Sequence, residues 1–229
     1  MARLSRIVVP GVPHHVTQRG NRRERVFMED DDYALYKDWL AVSCRKNGVE
    51  VWSYCLMPNH VHLIVVPSDE TGLSRAVGET HRKYSGYINA RLRVTGHLFQ
   101  GRFGCVAMDE SHLMAAFRYV ALNPIKAHLA VSAADWPWSS TPAHLLRRDD
   151  GLVAIAPLLQ RVEDVTAFLN RPPDPEMEAA LMQGQTIGRP LMGGRELADL
   201  ERQLGRALRP GKRGRPALLK DDPRQLKLV

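Results

Sequence analysis

Residues Tyr54 to Val66 read Y-C-L-M-P-N-H-V-H-L-I-V-V and end in an apolar run that begins with two histidines. Because side chains alternate along a strand, His60 and His62 share one face. The apolar residues that follow them occupy both faces, as expected of an interior strand that is covered on both sides. Two imidazoles that converge from such a strand can bind one divalent cation. A lone H-x-H pair also occurs at ordinary strand ends, so the rest of the chain has to decide between the two interpretations.

The composition is that of an ordinary globular protein. Hydrophobic residues make up 44% of the chain and charged residues 25%, values that are typical of a soluble globular protein. No apolar run approaches the roughly eighteen residues that a membrane span needs, so we expect no membrane partner. The three cysteines are widely spaced and form no C-x-x-C pair, which favours reduced thiols and a cytoplasmic location.

The positive charge is concentrated in residues 189–229. This segment holds eleven Lys or Arg and five Asp or Glu, hence +6 of the formal net charge of +7. Such an excess favours a polyanionic partner, and a solvated tail is the alternative. Within the segment, Lys212-Arg213-Gly214-Arg215-Pro216 is similar to an AT-hook core, whose extended arginines lie in a narrow A·T minor groove. A plain phosphate-binding tail is the alternative to such a hook.

The hydrophobic pattern predicts strands and helices that alternate along the first half of the chain. Strands are predicted over 12–18, 49–55, 60–66 and 105–108, and helices over 29–47, 71–93 and 109–124. The last helix should end near Asn123-Pro124, because the residue before a proline disfavours the α conformation. This order is that of the ferredoxin-like βαββαβ fold, an α+β class in which helices pack on an antiparallel sheet. Its third strand, with the two histidines, should be interior.

The remaining residues predict a helical extension. Helices are predicted over 158–169, 174–182 and 195–208, with Pro172-Pro173 between the first two. The last helix carries a stripe of leucines on one face: Leu197, Leu200, Leu204 and Leu208. Such a stripe needs an apolar partner surface, either within a small helical unit or on the preceding domain.

Five segments, in order between residues 12 and 140, resemble one known family. They are H-V-T-Q-R-G-N-R-R (15–23), M-P-N-H-V-H-L-I-V (57–65), G-H-L-F-Q-G-R-F (96–103), R-Y-V-A-L-N-P-I-K-A (118–127) and W-P-W-S-S (136–140). The family is that of the single-tyrosine HUH transposases, and the most similar subgroup is the REP-associated tyrosine transposases. Each segment alone carries little information, but together and in this order they are specific.

The resemblance implies a DNA strand-transfer enzyme with a HUH catalytic domain, which we predict over 1–145. The helical pattern and the basic charge of the remainder predict a DNA-binding extension over 146–229. His60 and His62 match the family's two histidine ligands, Tyr119 matches its nucleophile, and Asn123 matches its third ligand. Many insertion-sequence relatives carry Gln where this chain has Asn123. On a helix, Tyr119 and Asn123 lie one turn apart on the same face. The implied cofactor is a divalent metal, Mg²⁺ or Mn²⁺, although histidine ligands equally admit zinc or nickel.

The resemblance also implies a partner, single-stranded or hairpin DNA, bound by a monomer or a homodimer. We expect DNA contacts from a basic turn, the second helix, the glycine-punctuated loop and the tail: Arg19, Asn21, Arg22, Arg82, Lys83, Arg102, Lys212, Arg213 and Arg215. His14 and His15 are adjacent on the first strand, so they should face opposite ways and serve packing or DNA contacts.

The implied reaction is metal-dependent nicking and rejoining of one DNA strand near a hairpin, through a 5′-phosphotyrosine on Tyr119. A DNA-binding regulator of the same fold that cuts nothing is one alternative, but it needs no set of His60, His62, Tyr119 and Asn123. A rolling-circle initiator or relaxase shares the histidine pair, yet the segments that flank the pair match transposases. A two-histidine phosphoesterase needs two separate H-x-T/S motifs, and the chain does not have such a pair.

Overall fold

Strands and helices follow one another in the predicted order. The computed structural model describes residues 6–209, except for the side chains of residues 185–187. Its first main elements are β1 (His14–Arg19), α1 (Asp30–Lys46), β2 (Val49–Met57), β3 (His60–Pro67), α2 (Gly72–Leu92), β4 (Gly104–Ala107) and α3 (Glu110–Lys126). A single 3-10 turn, Asn21–Arg23, separates β1 from α1. The ferredoxin-like βαββαβ order and the α+β class are confirmed.

β3 is an interior strand of a four-stranded antiparallel sheet, as predicted. The strand order is β2-β3-β1-β4. The pairing of β1 with β3 sets Arg19 opposite His60 and Thr17 opposite His62. Because paired residues share a face of an antiparallel sheet, His15, Thr17 and Arg19 stand on the histidine face.

Helices cover both faces of the sheet, and each face has its own apolar cluster. α1 and α2 pack on the face that carries Val61 and Leu63. α3 packs on the histidine face, where Phe117 and Val120 join the cluster of Ile64. The strand is apolar on both sides because both sides of it are covered by helices.

α3 continues through Pro124 to Lys126, so the predicted end at Asn123-Pro124 is wrong. Asn123 and Pro124 are both buried, and this packing holds Asn123 in the α conformation that a following proline ordinarily disfavours. The Pro124 carbonyl accepts a hydrogen bond from the Leu129 amide at 2.9 Å, so the helix end keeps a partner. As a result, Asn123 remains on the helix, one turn from Tyr119.

The chain after α3 forms further short helices within the described residues. They are α4 (Thr141–Leu146), α5 (Ala156–Leu159), α6 (Val165–Leu169), α7 (Pro175–Ile187) and α8 (Gly194–Leu204). The single helix predicted over 158–169 is therefore wrong, because Asp164 begins a new helix by accepting the Ala167 amide. No helix between residues 6 and 209 has both the length and the apolar character to cross a membrane.

These later helices pack on the sheet and on α3. Phe168 of α6 stacks on Phe117 of α3, with ring centroids 5.6 Å apart. α8 ends at Leu204 and not at the predicted Leu208, because Gly205 adopts the left-handed conformation. Leu200 of α8 and Leu208 beyond it pack against the amino-terminal segment and β4, in a cluster with Ile7 and Ala107. The Leu191 amide donates to the Ala107 carbonyl at 2.8 Å and adds a short parallel bridge near the exposed edge of β4. The division of the chain at residue 145 stays a prediction.

Replacing the buried Asp32 with alanine should lower the free energy of unfolding by about 2–3 kcal/mol. Asp32 is fully buried at the start of α1, and its carboxylate accepts hydrogen bonds from Arg91 at 2.7 and 2.8 Å. The Met28 and Glu29 amides also donate to it. Burial by itself would raise the pKa of Asp32, but these donors outweigh burial and lower it.

Because the folded pKa is lowered, the stability that Asp32 contributes is present above its unfolded pKa of about 4 and is lost as the pH falls. Urea unfolding at pH 7 and at pH 3 measures the free energy of unfolding of both chains. The difference in this free energy between wild type and Asp32→Ala should be smaller at pH 3 than at pH 7. Asp31→Ala is the matched control, since Asp31 is exposed in the same helical turn. Equal stability of the two variants at pH 7 would contradict the prediction.

Candidate active site

The two histidines of β3 lie close together under α3. The ring centroids of His60 and His62 are 4.9 Å apart, with the planes at 80°. Burial lowers the pKa of His60 to about 4, assisted by the charge of Arg19. His62 is 2% exposed, and burial holds its pKa well below the ordinary range. Both imidazoles are therefore neutral at pH 7, which is the form that binds a metal.

α3 places Tyr119 against the histidine pair. The Tyr119 ring meets the His62 ring edge-on, with centroids 5.4 Å apart and the planes at 81°. Asn123 follows one turn later on the same face of the helix and is 8% exposed. The apolar residues of α3, buried against the sheet, hold the helix in this position. The structure thus brings His60, His62 and Tyr119 together and places Asn123 on the adjoining turn.

Two buried side-chain nitrogens that lack a hydrogen-bond partner in the described part of the chain suggest a place for a metal ion. Within the described residues, the buried atoms His62 Nε2 and Asn123 Nδ2 have no hydrogen-bond partner. A half-turn of the Asn123 amide presents its oxygen at the same place. Two imidazoles and one amide oxygen form a donor set that suits a divalent cation. Among residues 6–209 no three His, Cys, Asp or Glu side chains form a metal-binding group, so this candidate includes a ligand of another type.

The proton position on His60 is set by its neighbour Asn59. His60 Nδ1 lies 2.6 Å from Asn59 Oδ1. The Asn59 amide is oriented by a second hydrogen bond, because its Nδ2 donates to the Arg23 carbonyl at 3.0 Å. Since a carbonyl oxygen can only accept, His60 carries its proton on Nδ1 and keeps the lone pair of Nε2 for a metal.

A third histidine, His15 of β1, contacts His62 from the neighbouring strand. Its place beside the site was not predicted from the sequence. His15 Nε2 is 3.1 Å from His62 Nδ1, and the two rings stack with centroids 5.3 Å apart. His15 is 1% exposed, and burial lowers its pKa to about 4. His14 faces the opposite side, as predicted, and bonds the Val12 carbonyl. The alternation along β1 separates the two histidines, but only the pairing with β3 shows which one meets His62.

The extension also contacts the helix that carries Tyr119. Glu178 of α7 accepts hydrogen bonds from Lys126 Nζ at 2.6 and 2.7 Å and lies 3.5 Å from Arg118. Lys126 Nζ in turn is 5.3 Å from the centroid of the Tyr119 ring. This cluster was not predicted either, because the sequence pattern does not show which side of α3 the extension covers.

Four of the predicted DNA contacts are exposed at the end of β1 and on the two segments joined to it. Arg19 is across the sheet ladder from His60, and the turn after it carries Asn21 and Arg22. The loop with Arg102 is joined to this turn, since the Gln100 amide donates to the Arg19 carbonyl at 2.8 Å. All four side chains are exposed. We call these four residues the basic rim.

The other predicted DNA contacts are placed elsewhere. Arg82 and Lys83 are exposed on α2, which packs on the face of the sheet opposite the histidines. Lys83 Nζ lies 4.0 Å from the centroid of the Trp39 ring. Lys212, Arg213 and Arg215 lie outside the described residues.

Residues 9–123 match the family model of the IS200-like transposases. The fold is similar to that of a REP-associated tyrosine transposase bound to a REP hairpin, with a TM-score of 0.56 and 21% identity, covering 68% of this chain and 90% of that one. A putative transposase from Deinococcus radiodurans gives a TM-score of 0.37 and 19% identity, covering 57% of this chain and all of the other. No curated protein matches the chain. Because the matched model spans half of the sequence, the chain belongs to the IS200-like transposase family.

Proposed function

We propose that the chain is a transposase that nicks and rejoins one DNA strand through Tyr119, with Mg²⁺ or Mn²⁺ held by His60, His62 and Asn123. The observation that carries the proposal is the edge-on contact between the Tyr119 ring and His62, whose buried Nε2 has no partner in the described residues. A buried nitrogen without a partner lowers stability, so such an atom beside a tyrosine favours a functional role. When bound, the metal would polarise the scissile phosphate and stabilise the leaving oxygen.

The proposed reaction exchanges one phosphodiester for another. The Tyr119 hydroxyl loses its proton and attacks the scissile phosphorus, and the bond from phosphorus to the 3′ oxygen breaks. The 3′ oxygen takes up a proton and leaves as a hydroxyl, while the 5′ phosphate stays on Tyr119. A 3′-hydroxyl then attacks the phosphotyrosine, rejoins the strand and releases the tyrosine. Since each step replaces one diester with another, the reaction needs no ATP.

Tyr119 of α3 is better placed for this role than the two tyrosines of α2, the basic second helix. Tyr84 is fully buried and donates its hydroxyl to the Val26 carbonyl at 2.7 Å. Tyr87 is 37% exposed, but it lies on α2 with its ring 5.9 Å from Trp39. α2 packs on the face of the sheet that is turned away from the histidines.

We infer that the DNA substrate is a single strand that lies beside a hairpin. The basic rim supports this inference, because its Arg19 stands opposite His60 in the sheet ladder and its other residues lie on segments joined to Arg19, where these exposed side chains can bind phosphates. The REP-associated transposase of similar fold was solved with a REP hairpin. We therefore propose that the basic rim binds the hairpin and directs its single-stranded flank to Tyr119.

The polarity of the covalent product tests the proposal. The full chain is incubated with Mn²⁺ and an oligonucleotide that carries a hairpin and a single-stranded flank, labelled at either its 3′ or its 5′ end. We expect the 3′ label to migrate with the protein on a denaturing gel and the 5′ label to be released with a free 3′-hydroxyl. A regulator that binds without cutting would bind the same oligonucleotide and give neither product, and a 5′ label on the protein would exclude the proposed chemistry.

Removing residues 210–229 should weaken DNA binding and flatten its salt dependence. These residues hold six Lys or Arg and two Asp or Glu, a net +4. For each phosphate that the shortened chain no longer neutralises, the slope of log K against log salt should fall by about 0.7 on single strands and about 0.9 on duplex. The shortened chain should end at residue 209, because α8 and Leu191 pack on the sheet and a longer deletion would uncover Ile7 and Ala107.

Paired arginine substitutions distinguish an AT-hook from a plain basic tail. For a hook, Arg213→Ala with Arg215→Ala should weaken binding to A·T-rich duplex far more than to G·C-rich duplex. A plain tail should bind both duplexes about equally less tightly after the same substitutions. Titrations at two salt concentrations separate these cases, and an unchanged slope after the deletion would show that the tail does not touch DNA.

A further inference from the structure

We propose that His15 is a positioning residue for the candidate metal site, whose Nε2 accepts the Nδ1 proton of His62 and so leaves His62 Nε2 free to bind a divalent cation. The two nitrogens that share this proton are 3.1 Å apart. A neutral imidazole carries one N–H, so the partner of one ring nitrogen decides whether the other is a donor or a ligand. The inference rests on the proposed metal-dependent function and adds to it a residue from another strand.

The strand pairing fixes this contact. His15 is opposite Ile64 in the ladder and Thr17 is opposite His62, so His15 reaches His62 along the diagonal between β1 and β3. The two rings are nearly parallel, at 18°, and both residues are almost completely buried. Water therefore does not compete for His62 Nδ1, and His15 is its hydrogen-bond partner.

The two candidate ligands are held in different ways. His60 Nδ1 faces an amide oxygen of Asn59, which can only accept, so the His60 tautomer is set before any metal binds. His15 Nε2, in contrast, can accept from His62 or donate to it. If His15 donates, the His62 proton sits on Nε2 and blocks the metal. If His15 accepts, His62 Nε2 is free, so metal binding selects this arrangement and fixes the tautomers of both rings together.

The unpartnered nitrogens agree with a pair that can adopt either arrangement. Within residues 6–209, neither His15 Nδ1 nor His62 Nε2 has a hydrogen-bond partner. Each arrangement thus leaves one N–H and one lone pair unsatisfied at the ends of the pair, and hydrogen bonding alone does not favour one of them. A cation at His62 Nε2 removes this balance, because only the lone pair can bind it.

Metal titration of variants tests the proposal. His15→Phe keeps a flat buried ring and removes the acceptor, so the affinity of the full chain for Mn²⁺ should fall about 10- to 100-fold by calorimetry. His15→Gln restores an acceptor of similar reach and should recover most of this affinity. His14→Phe is the matched control, since His14 is an equally buried neighbour on the opposite face. It should lower the unfolding temperature and leave the Mn²⁺ affinity unchanged.

A spectroscopic measurement on the wild type needs no variant to fold. In ¹⁵N spectra of the Zn²⁺-loaded chain, His62 should carry its proton on Nδ1 and show coupling across the hydrogen bond to His15 Nε2. Two results would overturn the proposed role of His15 and leave the proposed metal site intact. They are binding of zinc through His62 Nδ1 and an unchanged Mn²⁺ affinity in a folded His15→Phe chain. Failure of the wild type to bind Mn²⁺ at all would instead overturn the proposed metal-dependent function, and the role of His15 with it.

Discussion

Tyr119→Phe should abolish the covalent protein–DNA adduct while DNA binding stays nearly unchanged. The substitution removes only the attacking oxygen and keeps the ring that packs edge-on against His62 at 5.4 Å. Removal of a nucleophile from a catalytic group typically lowers the rate by about 10⁴-fold or more, so the adduct should fall below detection. A denaturing gel with the 3′-labelled oligonucleotide measures the adduct, and a titration of the same oligonucleotide measures binding.

Tyr87→Phe is the control for this experiment, because it removes a hydroxyl from an exposed tyrosine on the opposite side of the sheet. It should leave the adduct unchanged. If the adduct persisted in Tyr119→Phe and disappeared in Tyr87→Phe, the nucleophile would be Tyr87 of α2 and not Tyr119. Tyr84 is a poor candidate in either case, since its fully buried hydroxyl already donates to the Val26 carbonyl.

The sheet could be predicted from the sequence because its pattern is local. The two-sided apolar run that begins at His60 indicates an interior strand, and its place between β2 and β1 is confirmed. The end of α3 could not be predicted in this way. Tertiary burial of Asn123 and Pro124 outweighs the local preference against the α conformation before proline, and no sequence pattern reports that burial.

The parts of the site that were not predicted depend on long-range pairing. His15 and His62 are 47 residues apart, and the register of two strands decides that they meet. Glu178 reaches Lys126 across 52 residues, from a helix whose position the sequence pattern does not give. Family resemblance supplied Tyr119 and Asn123, whereas the diagonal contact of His15 follows only from the strand register. Short-range patterns therefore indicate candidate ligands on one element, whereas the residues proposed to orient them come from neighbouring elements.

The extension supports the helix that carries the proposed nucleophile. α3 is packed between the sheet on one side and α6 and α7 on the other, through Phe168 stacked on Phe117 and Glu178 bonded to Lys126. Because close positioning of reacting groups dominates strand-transfer chemistry, a shift of α3 would move Tyr119 relative to His62. We therefore propose that residues 146–209 serve the site structurally, while residues 210–229 add charge for binding DNA.

His62→Ala should abolish metal-dependent cleavage and Mn²⁺ binding together. Stabilisation of transition-state charge by a metal amounts to several kcal/mol, which corresponds to a decrease in rate of about 10³-fold or more. His60→Ala should have the same effect, and chelation of the wild type with EDTA should reproduce both. Asn123→Ala should be milder, since water can replace one neutral oxygen ligand.

Two measurements separate loss of the metal from loss of the fold. His62 is 2% exposed, so its truncation leaves a cavity, whereas His60 is half-buried at the start of β3 and tolerates truncation better. The unfolding temperature should therefore decrease more in His62→Ala than in His60→Ala, while calorimetry should detect no Mn²⁺ binding in either variant. DNA binding to the basic rim should persist in His60→Ala, because Arg19 and Arg102 are unchanged. Normal cleavage by folded His60→Ala and His62→Ala chains in Mg²⁺ or Mn²⁺ would contradict the proposed metal site. It would show that neither imidazole is needed as a ligand and that the histidine pair has only a structural role.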